Sequence, residues 1–336
     1  MNPSVYLWAA MVFFYFIIPN SYAQDQITVA PMTVKEGVYW NIPGSQPKLR
    51  YFTQKPDVPG SATPYGNNLV AGHYVQSGDA RLYYEVYGKG SPVLVMHGGG
   101  VGTPYELGSI IDKLRGNHQV IVMSTRGHGR SEIGKSPLSF AQRADDAYQV
   151  LRAVTEQPAM VIGFSDGAYA SYALATKYPQ AVDRIVAIGA GTLTPGYYHA
   201  DMTWEDLRNM DPEFIAQEEK LAPEPARLPA FFHDYMMFWS KVKVGADELS
   251  HITCPVLLIA GDEDDHAPMV TMVQAENLIP NSRLCIVPKA GHTAFLDNEA
   301  VVWDVVGPFL EADKATLVPS RKVLYNQHFL PSDSQK

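Results

Sequence analysis

The apolar residues of this chain gather in short runs separated by helix-length segments, at positions 92–96, 119–123, 159–162, 184–188, 256–259 and 284–287. These runs are too uniformly apolar for strands with one wet face. They predict strands buried on both faces and joined by helices, the order that builds a parallel sheet. Two earlier runs, 73–75 and 81–86, do alternate and flank Ser77-Gly78-Asp79, which predicts an antiparallel hairpin. The chain is therefore expected to be of the α/β class, a mostly parallel sheet flanked by helices.

The alternation fails in two places. Residues 24–71 are rich in Pro, Gly, Ser and Asn without a sustained apolar period, and predict an N-terminal arm over the surface that carries no chemistry. Between about 192 and 249 the sequence turns Met-rich, aromatic and charged with no strand-like run, the mark of a helical insertion and a candidate lid. Its most apolar stretch, 231–239, either packs the insertion against the main domain or lines a pocket beneath it. The main domain is expected over 72–313, its last helix over about 299–312, and residues 314–336 read as a polar tail.

Composition narrows this picture. A 336-residue chain, 46% hydrophobic and 18% charged, supports one large folded domain. A net charge of −9 and the absence of any long Lys/Arg run exclude nucleic acid as the expected partner and favour a small-molecule substrate. Residues 1–23 contain no charged side chain, are apolar over 5–18, and end in Pro19 and Ser21-Tyr22-Ala23. That pattern predicts an export signal cleaved before Gln24, a secreted or periplasmic mature protein, and no stable membrane insertion afterwards, since the apolar run falls short of the ~20 residues of a bilayer span. Cys254 and Cys285 could form one disulfide or be two small apolar side chains.

Candidate chemistry centres on Gly163-Phe164-Ser165-Asp166-Gly167, which follows an apolar run directly and opens a helix-like segment. A turn this tight forces the serine into a strained conformation with its hydroxyl projecting, and the flanking glycines avoid Cβ clashes. Ser165 is the candidate nucleophile. The N–H of Asp166, at the helix N-terminus, is a candidate oxyanion donor. His97-Gly98-Gly99-Gly100 ends an earlier strand and offers Gly99 N–H as the second donor, with His97 a structural hydrogen-bonder. Serine needs a base and the base an orienting acid. Of ten histidines, His292 follows the last apolar run and is the candidate base, ahead of His266 and His128. The acid is expected in Gly261-Asp262-Glu263-Asp264-Asp265, which offers four carboxylates among which position alone does not select.

Taken in order, His97 to Gly100, Arg126-Gly127-His128-Gly129-Arg130-Ser131, Gly163 to Gly167, Gly261-Asp262-Glu263-Asp264 with Pro268, and Gly291-His292 resemble the α/β-hydrolase superfamily, in the group holding esterases, lactonases, haloperoxidase-like enzymes and proline iminopeptidases. The resemblance spans roughly residues 72–310. It implies that Asp264 is the acid, that Asp262 and Asp265 are solvated, and that the turn at 126–131 is a structural loop. The family does not fix the substrate, because one triad serves many acyl groups and the lid decides; the triad leads to an expected acyl transfer to water from an ester, thioester or lactone, needing neither metal nor organic cofactor. Serine at 165 argues against dehalogenase and epoxide-hydrolase chemistry, and Gly100-Val101 departs from the Pro-Gly of the iminopeptidases. Amide or peptide hydrolysis is the alternative; it needs an anchor for an amine, for which Glu205, Glu213, Glu218, Glu219 and Glu224 are candidates, read otherwise as the solvated face of a helix. A non-catalytic binding protein of the same fold would carry a broken triad.

Overall fold

The computed structural model describes residues 49–317; the expected export signal, the first half of the arm and residues 318–336 lie outside them. Eight strands form one sheet in the order β1-β2-β4-β3-β5-β6-β7-β8. The hairpin of β1 (Gly72–Ser77) and β2 (Ala80–Tyr87) turns at Gly78, and β2 pairs antiparallel with β4 (His118–Met123). From β3 (Ser91–Met96) through β5 (Ala159–Phe164), β6 (Val182–Ile188), β7 (Val256–Gly261) and β8 (Ser282–Val287) every pairing is parallel.

The apolar runs are continuous because each strand is buried on both sides. Leu94, Met96, Ile121, Val161, Ala187 and Leu258 face one layer, where α2 (Phe140–Val154) and α3 (Asp166–Lys177) pack. Their alternates Val93, Val95, Val122, Ile162, Val186 and Ile259 face the other, covered by α1 (Gly108–Leu114) and, further along the chain, Val302, Val306 and Phe309. Strand β8 departs from the expectation. As an edge strand it leaves Cys285 half-buried and Ile286 exposed. The two cysteines are free: Cys285 pairs with Ile259, five residues along β7 from Cys254, a separation of about 16 Å at strand rise.

Between β6 and β7 lie α4 (Trp204–Met210), α5 (Pro212–Leu221), α6 (Leu228–Trp239) and α7 (Ala246–Leu249). Local signals start each of the first two: Thr203 and Asp206 form a capping box on α4, and Asp211 caps α5 ahead of Pro212. Then α8 (Met269–Leu278) leads to β8, and α9 (Ala294–Asp297) and α10 (Glu299–Glu311) close the fold.

The described part of the arm is fastened at two ends. Arg50 pairs with Asp211 and Glu213, Thr53 N–H donates to Asp211 at 2.7 Å, and Phe52 meets Phe214 edge-on at 5.5 Å. Further on, Gly66 and Asn68 N–H donate to the buried Glu85 of β2 at 3.0 and 2.6 Å, and Tyr65 is fully buried. Among the described residues no helix is long and apolar enough to cross a membrane.

Candidate active site

Strand β5 turns into α3 at Ser165, whose φ of 49° and ψ of −116° lie outside the regions open to an unstrained non-glycine residue. Close packing imposes that turn. A Cβ on Gly163 would stand 2.4 Å from Gly167 O, and one on Gly167 would stand 2.4 Å from Met96 O. Helix and strands approach so closely only because both positions are glycine. Ser165 N–H donates to Ile188 O at 2.8 Å, which pins the elbow to the end of β6.

His292, in the loop after β8, reaches the same place. Its ring packs on Phe164 at 4.9 Å between centroids, and a Cβ on Gly189, the residue after β6, would stand 2.9 Å from its Cε1. Nδ1 of His292 hydrogen-bonds Asp264 Oδ2 at 2.9 Å and Oδ1 at 3.1 Å. Asp264 Oδ1 also accepts from His266 N–H at 2.8 Å and Ala267 N–H at 2.9 Å. Burial works to raise the Asp264 carboxyl, yet its hydrogen bonds and the facing imidazole hold it below the ordinary range. It is the carboxylate of its loop that is both buried and bonded to His292, while Asp262, Glu263 and Asp265 are exposed. His266, the rival histidine, stacks on His292 at 4.7 Å and bonds Asp265. Ser165 and His292 share no hydrogen bond among the described residues; in such sites that bond often closes only once substrate is bound.

On the other side of Ser165, Gly99 lies against Asp166, a Cβ there standing 2.8 Å from Asp166 Cβ. Neither residue's N–H has a backbone acceptor among the described residues. The loop bearing Gly99 is held by Glu106, buried beneath it, which accepts from Gly98 N–H at 2.8 Å; burial pushes its carboxyl up to about 8. His97 bonds Gly98 O through Nδ1 and accepts from Thr125 N–H, so both its nitrogens serve the backbone. The turn at 126–131 is organised by buried Arg126, which donates to Asp146, Asp79 and Ser77 O.

Four participants were not singled out by motif. Arg143 of α2 is buried and ion-paired with the buried Asp166. Tyr235 of α6 places its hydroxyl 1.6 Å from where a Cβ of Gly99 would be. Glu106 carries the loop. Glu218 corrects the expectation of a solvated helix face: it is buried, lines a cavity with Gly100, Trp204, Phe214 and Phe232, and burial pushes its carboxyl up to about 7. Its position after Phe214 and Ile215 by four and three residues puts it on the apolar face of α5, a signal present in the sequence. Glu205 and Glu213 are exposed, and Glu219 and Glu224 form surface ion pairs with Arg208 and Arg227.

A family model described as the alpha/beta hydrolase family matches residues 93–305. RutD of Azorhizobium caulinodans, named for carbamate hydrolysis, is 27% identical over 65% of this chain and 91% of its own. A 2-hydroxymuconate semialdehyde hydrolase of Pseudomonas sp. is 26% identical over 75% of this chain and 98% of its own. The crystal structure of the esterase RhEst1 from Rhodococcus sp. superposes with a TM-score of 0.59 over 72% of this chain and 99% of that one, at 20% identity.

Proposed function

We propose, from the premise that the chain belongs to the alpha/beta hydrolase family and is a hydrolase, that it cleaves an ester, thioester or lactone of a small molecule through an acyl-enzyme on Ser165. The observation that carries this reading is Ser165 on a strained elbow near the His292–Asp264 pair, with the N–H groups of Gly99 and Asp166 close by and without a backbone acceptor among the described residues.

In the first step Ser165 Oγ attacks the carbonyl carbon as His292 Nε2 takes its proton. Asp264 accepts from Nδ1–H, fixes the tautomer and steadies the imidazolium. The N–H groups of Gly99 and Asp166 hold the developing oxyanion. The imidazolium then protonates the leaving alkoxide or thiolate, and a water activated by the same histidine releases the acid. In this reading α4 to α7 act as a lid that selects the substrate, the catalytic domain runs over 72–313 with 24–71 as its arm, and the protein acts after export, as a secreted or periplasmic enzyme beginning at Gln24.

The test is covalent labelling with a fluorophosphonate. Wild type should label, and Ser165→Ala and His292→Ala should not. A folded wild-type chain that stays unlabelled would move the non-catalytic binding protein to first place. Amino-terminal sequencing of exported protein tests the cleavage site.

A second reading, an acyl group bearing an amine, rests on Glu218. A buried carboxyl among Trp204, Phe214 and Phe232 is costly without a cation, and an ammonium would meet both the charge and the ring faces. Aminoacyl esters and amides should then be preferred over their des-amino counterparts, and Glu218→Gln should abolish that preference alone. Equal loss on both substrate sets sinks this second reading.

A further inference from the structure

The two backbone donors are joined by a third group from a distant part of the chain. Tyr235 lies on α6, its ring buried, stacked against Phe232 with planes 11° apart and 3.5 Å from where a Cβ of Gly100 would be. Its hydroxyl occupies the space a Cβ of Gly99 would take, and the same Cβ would touch Asp166. The hydroxyl therefore sits beside Gly99, on the side where Gly99 meets Asp166.

The phenol's neighbours settle what its proton can do. Arg143 and Trp239 flank the hydroxyl, and the Arg143 guanidinium lies 5.5 Å from the ring centroid. Guanidinium and indole N–H only donate. They can give hydrogen bonds to the phenol oxygen but cannot accept its proton, so the acceptors open to it are the Asp166 carboxylate, which Arg143 already engages, and a substrate oxygen beside Gly99. Burial raises the phenol from its ordinary value, with Arg143 and Trp239 pulling the other way, so it stays protonated at neutral pH. The cation beneath is itself fixed, ion-paired with Asp166 and set against the rings of Tyr235 and Phe238.

We infer that the Tyr235 hydroxyl is a third hydrogen-bond donor to the substrate's carbonyl oxygen, completing from the inserted helices the oxyanion site that Gly99 and Asp166 begin. This rests on Ser165 being the nucleophile. As the carbonyl becomes a tetrahedral alkoxide, the phenol O–H shortens its bond to that oxygen without transferring its proton. The bond strengthens with developing charge, so its loss should appear in kcat more than in KM.

The experiment uses the full chain, p-nitrophenyl acetate as substrate and a phenylboronic acid as a reversible mimic of the tetrahedral adduct on Ser165. Tyr235→Phe keeps the ring and its packing, and thermal unfolding checks that it does. The expected result is a fall in kcat of about 10²-fold with KM within about threefold, matched by an equal weakening of boronate affinity, the size found for removing one such donor. If Tyr235→Phe stays within about twofold of wild type in both while Tyr235→Ala loses activity, the ring merely packs and the inference is overturned. Wild type that hydrolyses nothing and is not labelled at Ser165 overturns the serine-hydrolase reading, and this inference with it.

Discussion

The two flanks of Ser165 are built differently. The acid–base flank comes from two consecutive sheet loops: Asp264 follows β7, His292 follows β8, and short hydrogen bonds from the loop's own N–H groups hold the acid. The oxyanion flank is assembled from parts far apart in sequence, Gly99 after β3, Asp166 on α3, Arg143 on α2 and Tyr235 on α6, with charge buried between them. The first is a local device that the sheet edge supplies by itself. The second, as proposed, needs the insertion in place, which would make substrate selection and charge stabilisation share one set of helices.

Breaking the acid–base flank should have the largest effect. Ser165→Ala or His292→Ala should lower p-nitrophenyl ester turnover by about 10⁴-fold or more, and the double variant should cost no more than either alone, because the groups act as a unit. Asp264→Asn should cost somewhat less, about 10³-fold to 10⁴-fold, with the loop still folded. Turnover measured on variants of matched thermal stability checks both.

Arg143→Met tests the other flank through stability. Removing one partner of a buried pair strands the Asp166 carboxylate, so unfolding in urea should show a loss of about 3–5 kcal/mol, partly restored by Asp166→Asn in the double variant. The Asp166 N–H survives that second change, so activity should partly return as well. Similar losses in the single and double variants would mean that the pair contributes little.

The smallest effect is one of pH. Glu106 has its folded value raised to about 8 against an ordinary 4.5, so it favours the folded state fully below about 4.5, and that contribution is lost as pH rises through 8. Glu106→Gln should therefore flatten the decline in urea midpoint between pH 5 and 8.5. It should leave untouched any acid-side loss from Asp264, whose carboxyl is shifted the opposite way.

The difference between the flanks is also a difference in legibility. Ser165, Gly99 and Asp166 could be named as candidates because glycine spacing at strand ends is a local steric requirement, and His292 because it follows a buried strand. Asp264 needed the family resemblance, since five consecutive loop residues offer no physical reason to choose among their carboxylates until burial does. The strands were readable apart from the wetting of β8, which depends on what lies beside it. Arg143 looks like any charge on a helix, and only tertiary packing sets it under Asp166. Tyr235 fell within the apolar stretch at 231–239, but its hydroxyl has meaning only against Gly99, more than a hundred residues earlier.

The fastening of the arm gives the molecule a direction. Residues 50–53 grip α5 and its cap, and residues 66 and 68 grip β2, so the arm is a strap from α5 to the sheet. A pull on the chain before residue 50 would be delivered first to Asp211, the joint between α4 and α5, and hence to the helices that carry Tyr235 and Glu218. A pull at residue 317 would meet Arg283 of β8, which donates to Thr316 O and Leu317 O. In the proposed reading, strain applied before residue 50 would reach the helices that select the substrate, and strain applied at residue 317 would reach the strand that leads to His292.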